Sequence, residues 1–315
     1  MEIIGKRKTV EYFVNAVKRD TLHHFYVIEG PKGVGKKTLV RNVARMIHCT
    51  GENKPCGVCP ACVKHLSSNH PDFIVVSENS NKGNMSVETV RHISEEIFVK
   101  PLLADRKIYL VDDSKPLGAD AQNAFLKILE EPPAYAVIFL SVLNSKALLP
   151  TVLSRALVMR VDPCTKDETV HFLRTNFPNE GNAELIAELS GGILGTAKNM
   201  AQGSEYFEAR RELYDILSKS GSALILGLDE YFAKNKENVS RTLNLLLSWL
   251  RDAICLKNGG RAINYDFESA ILQFSQLRDS FEIMKIADAA FDMCQNFKKG
   301  NNLPLWAANL LTEFS

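Results

Sequence analysis

A glycine-rich segment near the start of the chain has the residue types and spacing of a phosphate-binding loop. It reads Gly30-Pro31-Lys32-Gly33-Val34-Gly35-Lys36 and lies between an apolar run, residues 25–28, and an amphipathic stretch. Between a strand and a helix, the backbone N–H groups of such a loop bind phosphate oxygens, and the lysine reaches the terminal phosphates. The nucleotide-binding residues that we expect here are Gly30, Gly33, Gly35, Lys36 and Thr38.

The position after the loop lysine departs from the pattern of an active ATPase. Active enzymes place Ser or Thr there, and its hydroxyl binds Mg²⁺, whereas this chain has Lys37. An ammonium group cannot ligate a cation and repels it. Thr38 cannot take over the hydroxyl's role, because one helical residue turns its side chain by about 100°. The sequence leaves open whether ATP or ADP binds, and it argues against metal-assisted hydrolysis.

Two carboxylates, Asp112 and Asp113, follow the apolar run 108–111 at the predicted carboxyl edge of a sheet. Asp112 is placed to hold Mg²⁺ through water. Asp113 stands where an active ATPase places Glu, and it is one methylene shorter, which displaces the group that polarises the attacking water. Two solvated acidic residues are the alternative, more acceptable for Asp113 than for Asp112.

Four of the cysteines are close together and have the spacing of metal ligands: Cys49, Cys56, Cys59 and Cys62. Four thiolates are the set that a closed structural zinc site needs, and such a site staples the chain and does not catalyse. An iron–sulfur cluster is the main competitor, although the C-x3-C-P element of ferredoxins is absent. Four unliganded thiols are the third possibility.

The elements that position these groups alternate in the first half of the chain. Short apolar runs predict strands at residues 25–28, 73–76, 108–111, 137–140 and 157–159, with amphipathic helices between them. Continuously apolar strands separated by helices indicate a parallel sheet covered on both faces. After about residue 163 only helical patterns follow. We expect an α/β domain at 1–163, a small helical unit at 164–203 and an all-α domain at 204–315.

Charge and hydropathy narrow the classes of function. Lys plus Arg number 38 against 37 Asp plus Glu, so no global basic excess holds the chain on nucleic acid. Any DNA contact must therefore be local or shared with partners. No stretch has the length of a membrane span and the start has no apolar signal region, so we expect a cytoplasmic protein.

Read together, these segments resemble the clamp-loader branch of the AAA+ ATPases, and most closely its delta-prime subunits of bacterial DNA polymerase III. The segments that carry the resemblance are the phosphate loop, the inserted four-cysteine module, His70-Pro71-Asp72-Phe73, the run from Asn123 to Pro133, and Leu153-Ser154-Arg155. The resemblance implies a RecA-like AAA+ domain with an inserted zinc module near 49–62, a helical lid and a C-terminal helical collar.

The resemblance also implies roles for individual residues. Arg155 matches the arginine finger, which stabilises charge on a neighbouring subunit's transferring phosphate in trans; an ordinary solvated or salt-bridged arginine is the alternative. The polar sensor after the fourth strand falls at Val142-Leu143, and the lid arginine aligns with Gly195. With Lys37 and Asp113, these losses predict a subunit that assists hydrolysis next door and performs none itself.

The partners that the resemblance implies are the gamma or tau ATPase subunits, the delta subunit, the sliding clamp and primed DNA. Two rival functions remain at this point. One is an active gamma-type ATPase that tolerates Lys37, and the other is an AAA+ scaffold outside replication. ATP turnover by the isolated chain would favour the active ATPase, since the delta-prime interpretation predicts essentially none. Failure to join a complex with gamma and delta subunits would favour the scaffold.

Overall fold

Within the described part of the chain, the strands lie before residue 161 with helices between them, and only helices follow. The computed structural model describes residues 4–76, 87–112, 117–178, 180–297 and 301–314. The strands are β1 (Phe25–Glu29), β2 (Phe73–Val76), β3 (Lys107–Val111), β4 (Ala136–Val142) and β5 (Leu157–Arg160). The helices are α1 (Arg7–Arg19), α2 (Lys36–His48), α3 (Pro60–Leu66), α4 (Val87–Glu96), α5 (Ala119–Glu130), α6 (Pro150–Leu153), α7 (Lys166–Asn176), α8 (Ala183–Leu189), α9 (Leu194–Gln202), α10 (Ser204–Leu217), α11 (Ser222–Lys234), α12 (Val239–Lys257), α13 (Glu268–Gln276), α14 (Ser280–Asn296) and α15 (Leu303–Thr312).

The five strands form one parallel sheet in the order β2-β3-β4-β1-β5. β1 pairs with β4 and β5 on its two sides, so that Val27 lies opposite Leu140 and Val158. Every residue of β3 and β4 is buried. The prediction of a RecA-like α/β domain with a parallel sheet is confirmed.

Two apolar clusters cover the two faces of this sheet. Successive strand residues point to opposite faces, and β1 shows this directly. Phe25 and Val27 join a cluster with residues of α4, α5 and α6, whereas Tyr26 and Ile28 join another with residues of α1 and α2. The Tyr26 ring stacks on that of Phe139, with centroids 5.1 Å apart. Burial on both faces explains why the central strands β1, β3 and β4 are mostly apolar and do not alternate.

The C-terminal helices have a separate apolar cluster. Helix α12 packs against α10, α13 and α14, and its fully buried Trp249 meets the ring of Tyr214 edge-on at 4.9 Å. Asp279 and Glu282 form a capping box that begins α14, which satisfies two N–H groups of its first turn. The prediction of an all-helical C-terminal region is confirmed.

The described contacts divide the chain into two compact units. One comprises residues 1–176 and 190–197, and the other residues 177–189 and 198–315. The domain boundaries near 163 and 203 remain predictions. In the described part of the chain, no helix is both long and apolar enough to cross a membrane.

Candidate functional site

The predicted phosphate loop joins the end of β1 to the start of α2. β1 lies between β4 and β5, and the chain leaves the sheet there at the carboxyl end of a central strand, where ligands bind in open α/β folds. Gly33 and Gly35 have φ values of +83° and +103°, a left-handed conformation that other residues adopt only with strain. Helix α2 begins at Lys36, the last residue of the loop, so its N-terminus adjoins the loop, as phosphate binding requires.

A cavity of about 560 Å³ lies beside this loop, within the size range of small-molecule sites. Its lining residues are Lys32, Gly33, Gly35, Lys36, Lys37, Thr38, Asp112, Ser141 and Leu143. The structure thus brings together every predicted nucleotide-binding residue except Gly30. At Gly30 a Cβ would lie 2.6 Å from the carbonyl oxygen of Val161, so glycine is required there by packing. The Lys36 ammonium donates to the carbonyl of Gly30.

The Lys37 ammonium forms an ion pair with the carboxylate of Asp112 inside this cavity. The Asp112 side chain is 6% exposed and that of Lys37 is 53% exposed. The carboxylate that would hold Mg²⁺ in an active enzyme is therefore bound to a cation of the protein itself. The fold family implies a magnesium nucleotide, and the residues present fit its phosphates but do not fit the metal. Asp113 lies outside the described residues.

Ser141 is a polar residue of the cavity that the sequence interpretation missed. It is 2% exposed, it lines the cavity, and its hydroxyl makes no hydrogen bond within the part of the chain that the structure describes. The sequence interpretation looked one position further, at Val142 and Leu143, which are apolar. A single serine in the otherwise apolar strand β4, AVIFLSV, was the signal that could have found it.

The position predicted for the lid arginine packs directly on the phosphate loop. The Gly195 backbone N–H donates to the Gly33 carbonyl at 2.8 Å. A Cβ at Gly195 would lie 2.8 Å from that oxygen and 2.9 Å from the Gly33 Cα, which is closer than real Cβ atoms come. No side chain fits at residue 195 with this packing.

The four predicted cysteine ligands converge at one place. Cys49 follows α2, Cys59 caps α3, and all four sulfurs lie within 4.8 Å of one another. The Cys49 and Cys59 sulfurs are 3.9 Å apart, close to the edge of about 3.8 Å that a tetrahedron with 2.3 Å metal–sulfur bonds has. The cluster could therefore hold a metal ion, as predicted.

Backbone N–H groups around these sulfurs favour thiolates. Cys49 accepts from the N–H of Gly51 at 3.4 Å and of Cys56 at 3.3 Å. Hydrogen bonds from the backbone of Cys62 and then of Thr50 lower the pKa of Cys59 to about 5. Burial raises the pKa of the Cys62 thiol, and a bound cation offsets such a cost because metal ligation needs the thiolate.

A histidine cluster next to the cysteines was not predicted from the sequence. The ligand nitrogens of His48, His65 and His70 lie within 4.8 Å of one another. His48 Nδ1 and His65 Nε2 are 2.9 Å apart, His48 Nε2 lies 2.9 Å from the carbonyl of Arg106, and the His70 ring stacks on both neighbours. Burial and, after it, the charge of a neighbouring histidine lower the pKa of His48 to about 4 and of His65 to about 3. The rings of His48 and His65 are therefore neutral at pH 7.

Arg155 lies just beyond the short helix α6, at the surface of the first unit. Its Nη2 contacts Glu130 Oε1 at 3.2 Å, and its Nη1 donates to the carbonyl of Thr151 at 3.0 Å. The Arg155 side chain is 36% exposed and that of Glu130 is 54% exposed. A partner can reach the guanidinium; its role in trans remains a prediction.

Two family models match nearly the whole chain. One, described as "DNA polymerase III, delta subunit", matches residues 5–165, which is more than half of the sequence. The other, "DNA polymerase III, delta subunit, C terminal", matches residues 204–315. The chain belongs to the DNA polymerase III delta-subunit family. The predicted resemblance is confirmed.

Individual relatives agree with this family assignment. DNA polymerase III subunit delta' of Bacillus subtilis is 26% identical over 295 residues, which cover 90% of this chain and 89% of that protein. The delta' subunit of Escherichia coli is 28% identical over 278 residues, covering 85% and 81% respectively. A gamma subunit-related protein of DNA polymerase III from Thermotoga maritima has a similar fold, with a TM-score of 0.52 at 18% identity over 95% of this chain and 97% of that one.

Proposed function

We propose that the chain is a delta-prime-type subunit of a DNA polymerase III clamp loader, which assists the loading of a sliding clamp on primed DNA without hydrolysing ATP itself. Family membership supports the assignment to polymerase III. The ion pair between Lys37 and Asp112 is the observation that supports the absence of ATP hydrolysis. It occupies the carboxylate that a catalytic Mg²⁺ needs and places a positive charge beside it.

Arg155 acts in this proposal on the nucleotide of a neighbouring gamma or tau subunit. Its guanidinium is at the surface and its charge does not depend on pH in the physiological range. Its bond to Glu130 holds it near the end of α6 until a phosphate approaches. The helices of 204–315 form the collar that joins this subunit to its gamma, tau and delta neighbours, and 164–203 form the lid.

The cysteine cluster holds a structural zinc ion in the same proposal. Four sulfurs within 4.8 Å of one another can fill all four positions of a tetrahedral site, so the ion fixes the excursion between α2 and α3 and takes part in no reaction. Metal analysis of the purified chain tests this, with one zinc and no iron per chain expected. A brown, iron-containing protein with sulfide would instead mean an iron–sulfur cluster.

The main experiment reconstitutes the loader from this chain and the gamma or tau and delta subunits of its own organism. The isolated chain is expected to show no ATP turnover. A complex with Arg155→Ala should assemble normally and hydrolyse ATP more slowly, because one neighbouring site loses its trans charge. Arg7→Ala, which removes an arginine that is 91% exposed, is the matched control and should leave turnover unchanged.

Two results would contradict the proposal. Turnover by the isolated chain would mean that Lys37 is tolerated and that the chain is an active gamma-type ATPase. Failure to assemble with gamma and delta subunits, by a chain with a normal circular dichroism spectrum, would favour a scaffold outside replication.

A further inference from the structure

The cavity beside the phosphate loop has features of an anion site that needs no metal ion. Among the described residues, three lysines line it, Lys32, Lys36 and Lys37, against one carboxylate, Asp112. An active ATPase reaches a similar balance with one loop lysine and a divalent cation. In this chain the additional positive charge is the ammonium of Lys37, a residue of α2 next to the loop that would bind the phosphates.

The ion pair with Asp112 leaves the Lys37 ammonium able to bind a second anion. An ammonium has three N–H donors, and Asp112 is its acceptor among the described residues. The Lys37 side chain is half exposed to the cavity and solvent. The group can therefore bridge the buried carboxylate and a phosphate oxygen, which is the bridging position that Mg²⁺ has in an active enzyme.

Ser141 is an independent observation that points to a ligand. Ser141 is 2% exposed, its hydroxyl is unpaired among the described residues, and the residue lines the cavity wall. A phosphate oxygen would satisfy that hydroxyl. Ser141 is the polar residue of the otherwise apolar strand β4.

We propose that Lys37 takes the place of the magnesium ion, so that this cavity binds the polyphosphate chain of a nucleotide in its metal-free form. Lys37 would bridge Asp112 and the phosphates, the loop N–H groups would bind the remaining oxygens, and Ser141 would donate one hydrogen bond. Mg²⁺ weakens binding, because it neutralises the phosphates and would have to displace an ammonium from Asp112. The proposal concerns binding by the isolated chain and does not depend on assembly with other subunits.

Calorimetric titration of the full chain with ATP tests this in EDTA and in excess Mg²⁺. The wild type should bind in EDTA, and excess Mg²⁺ should weaken binding at least severalfold. Lys37→Thr should bind about tenfold more weakly in EDTA, the effect of losing one charge-assisted contact, and Mg²⁺ should now strengthen its binding. Ser141→Ala should weaken binding severalfold in both conditions. Lys18→Thr, which removes an exposed lysine of α1, should bind like the wild type.

Inorganic triphosphate in EDTA is the second probe, and it should compete with ATP because the argued contacts are all to phosphates. The proposal is overturned if the wild type fails to bind ATP in EDTA, if its binding requires Mg²⁺, or if triphosphate does not compete. The comparison of EDTA with Mg²⁺ uses the wild type alone, so it decides the matter even if a substituted chain does not fold.

Discussion

Asp72 fixes the segment between α4 and β3, and replacing it by asparagine should release that segment. The Asp72 side chain is almost fully buried at 1% exposure. Its carboxylate accepts the backbone N–H of Leu102 on Oδ1 at 2.7 Å, and those of Leu103 and Ala104 on Oδ2 at 2.8 and 2.9 Å. Three donors thus converge on one buried charge, and they are the reason why Asp72 stays ionised there.

The magnitude follows from what an amide can still accept. Bonds to a charged group contribute about 1.5–3 kcal/mol each, and neutral ones about 0.5–1.5 kcal/mol. In Asp72→Asn the one remaining oxygen can serve Leu103 and Ala104, with each bond weaker by about 1 kcal/mol. The N–H of Leu102 then faces an NH₂ group and loses its acceptor, at about 1–3 kcal/mol more. The expected loss is about 3–5 kcal/mol.

Hydrogen exchange at the amides of 102–104 measures this loss locally. Their exchange should accelerate by about 100-fold to about 4000-fold, since each 1.4 kcal/mol is a factor of ten. Asp105→Asn is the matched control, because that neighbouring carboxylate is exposed and its loss should change little. Trp249 and Trp306 both lie in the second unit, so tryptophan fluorescence follows the unfolding of that unit. Asp72→Asn should leave this unfolding unchanged. An acceleration below tenfold would refute the reasoning.

Three further results are expected. Burial raises the pKa of Asp72, but the three N–H donors lower it more, so that the net pKa lies below the usual 3.8. The ionised carboxylate therefore stabilises the folded segment fully above pH 3.8. Amide protection at 102–104 should fall as the pH drops below 3.8. Arg210→Met, which removes a 3%-exposed guanidinium bonded to Asp266, should lower the stability of the second unit by about 3 kcal/mol in urea unfolding followed by tryptophan fluorescence. Gly195→Ala should cost about 1–3 kcal/mol in thermal unfolding through its clash with the phosphate loop, whereas Gly181→Ala, with open space around it, should not.

The sheet could be predicted because burial on both faces makes the central strands β1, β3 and β4 nearly continuous apolar runs. The same rule made some strands too short. The predicted strand 108–111 omitted Lys107, which is charged yet belongs to β3 and is buried. Its ammonium donates to the carbonyls of Glu96 and Val99 at 2.9 and 3.2 Å, and this compensation for burial involves residues that no local pattern connects.

Some residues of the candidate site could likewise be predicted from local sequence patterns, whereas others are brought together only by the fold. The loop glycines and the cysteine spacing are local patterns, and the structure brings Gly33 and Gly35 to one cavity and the four cysteines to one cluster. The sequence indicated that Lys37 cannot ligate a metal, but only the folded chain shows that its ammonium binds Asp112. The histidine cluster of His48, His65 and His70 was missed because α2, α3 and the segment before β2 supply one residue each.

The bond between Arg155 and Glu130 is compatible with a finger that acts on another subunit. Both side chains are more than a third exposed, and ion pairs of this kind contribute only about 0–1 kcal/mol. A phosphate carries more negative charge than a carboxylate and offers bidentate acceptors to a guanidinium. Arg155 can therefore leave Glu130 for a neighbour's phosphate at small cost, while Glu130 limits the conformations of the free side chain. Glu130 is thus a positioning residue in the proposed mechanism, and its carboxylate does not compete effectively with the phosphate.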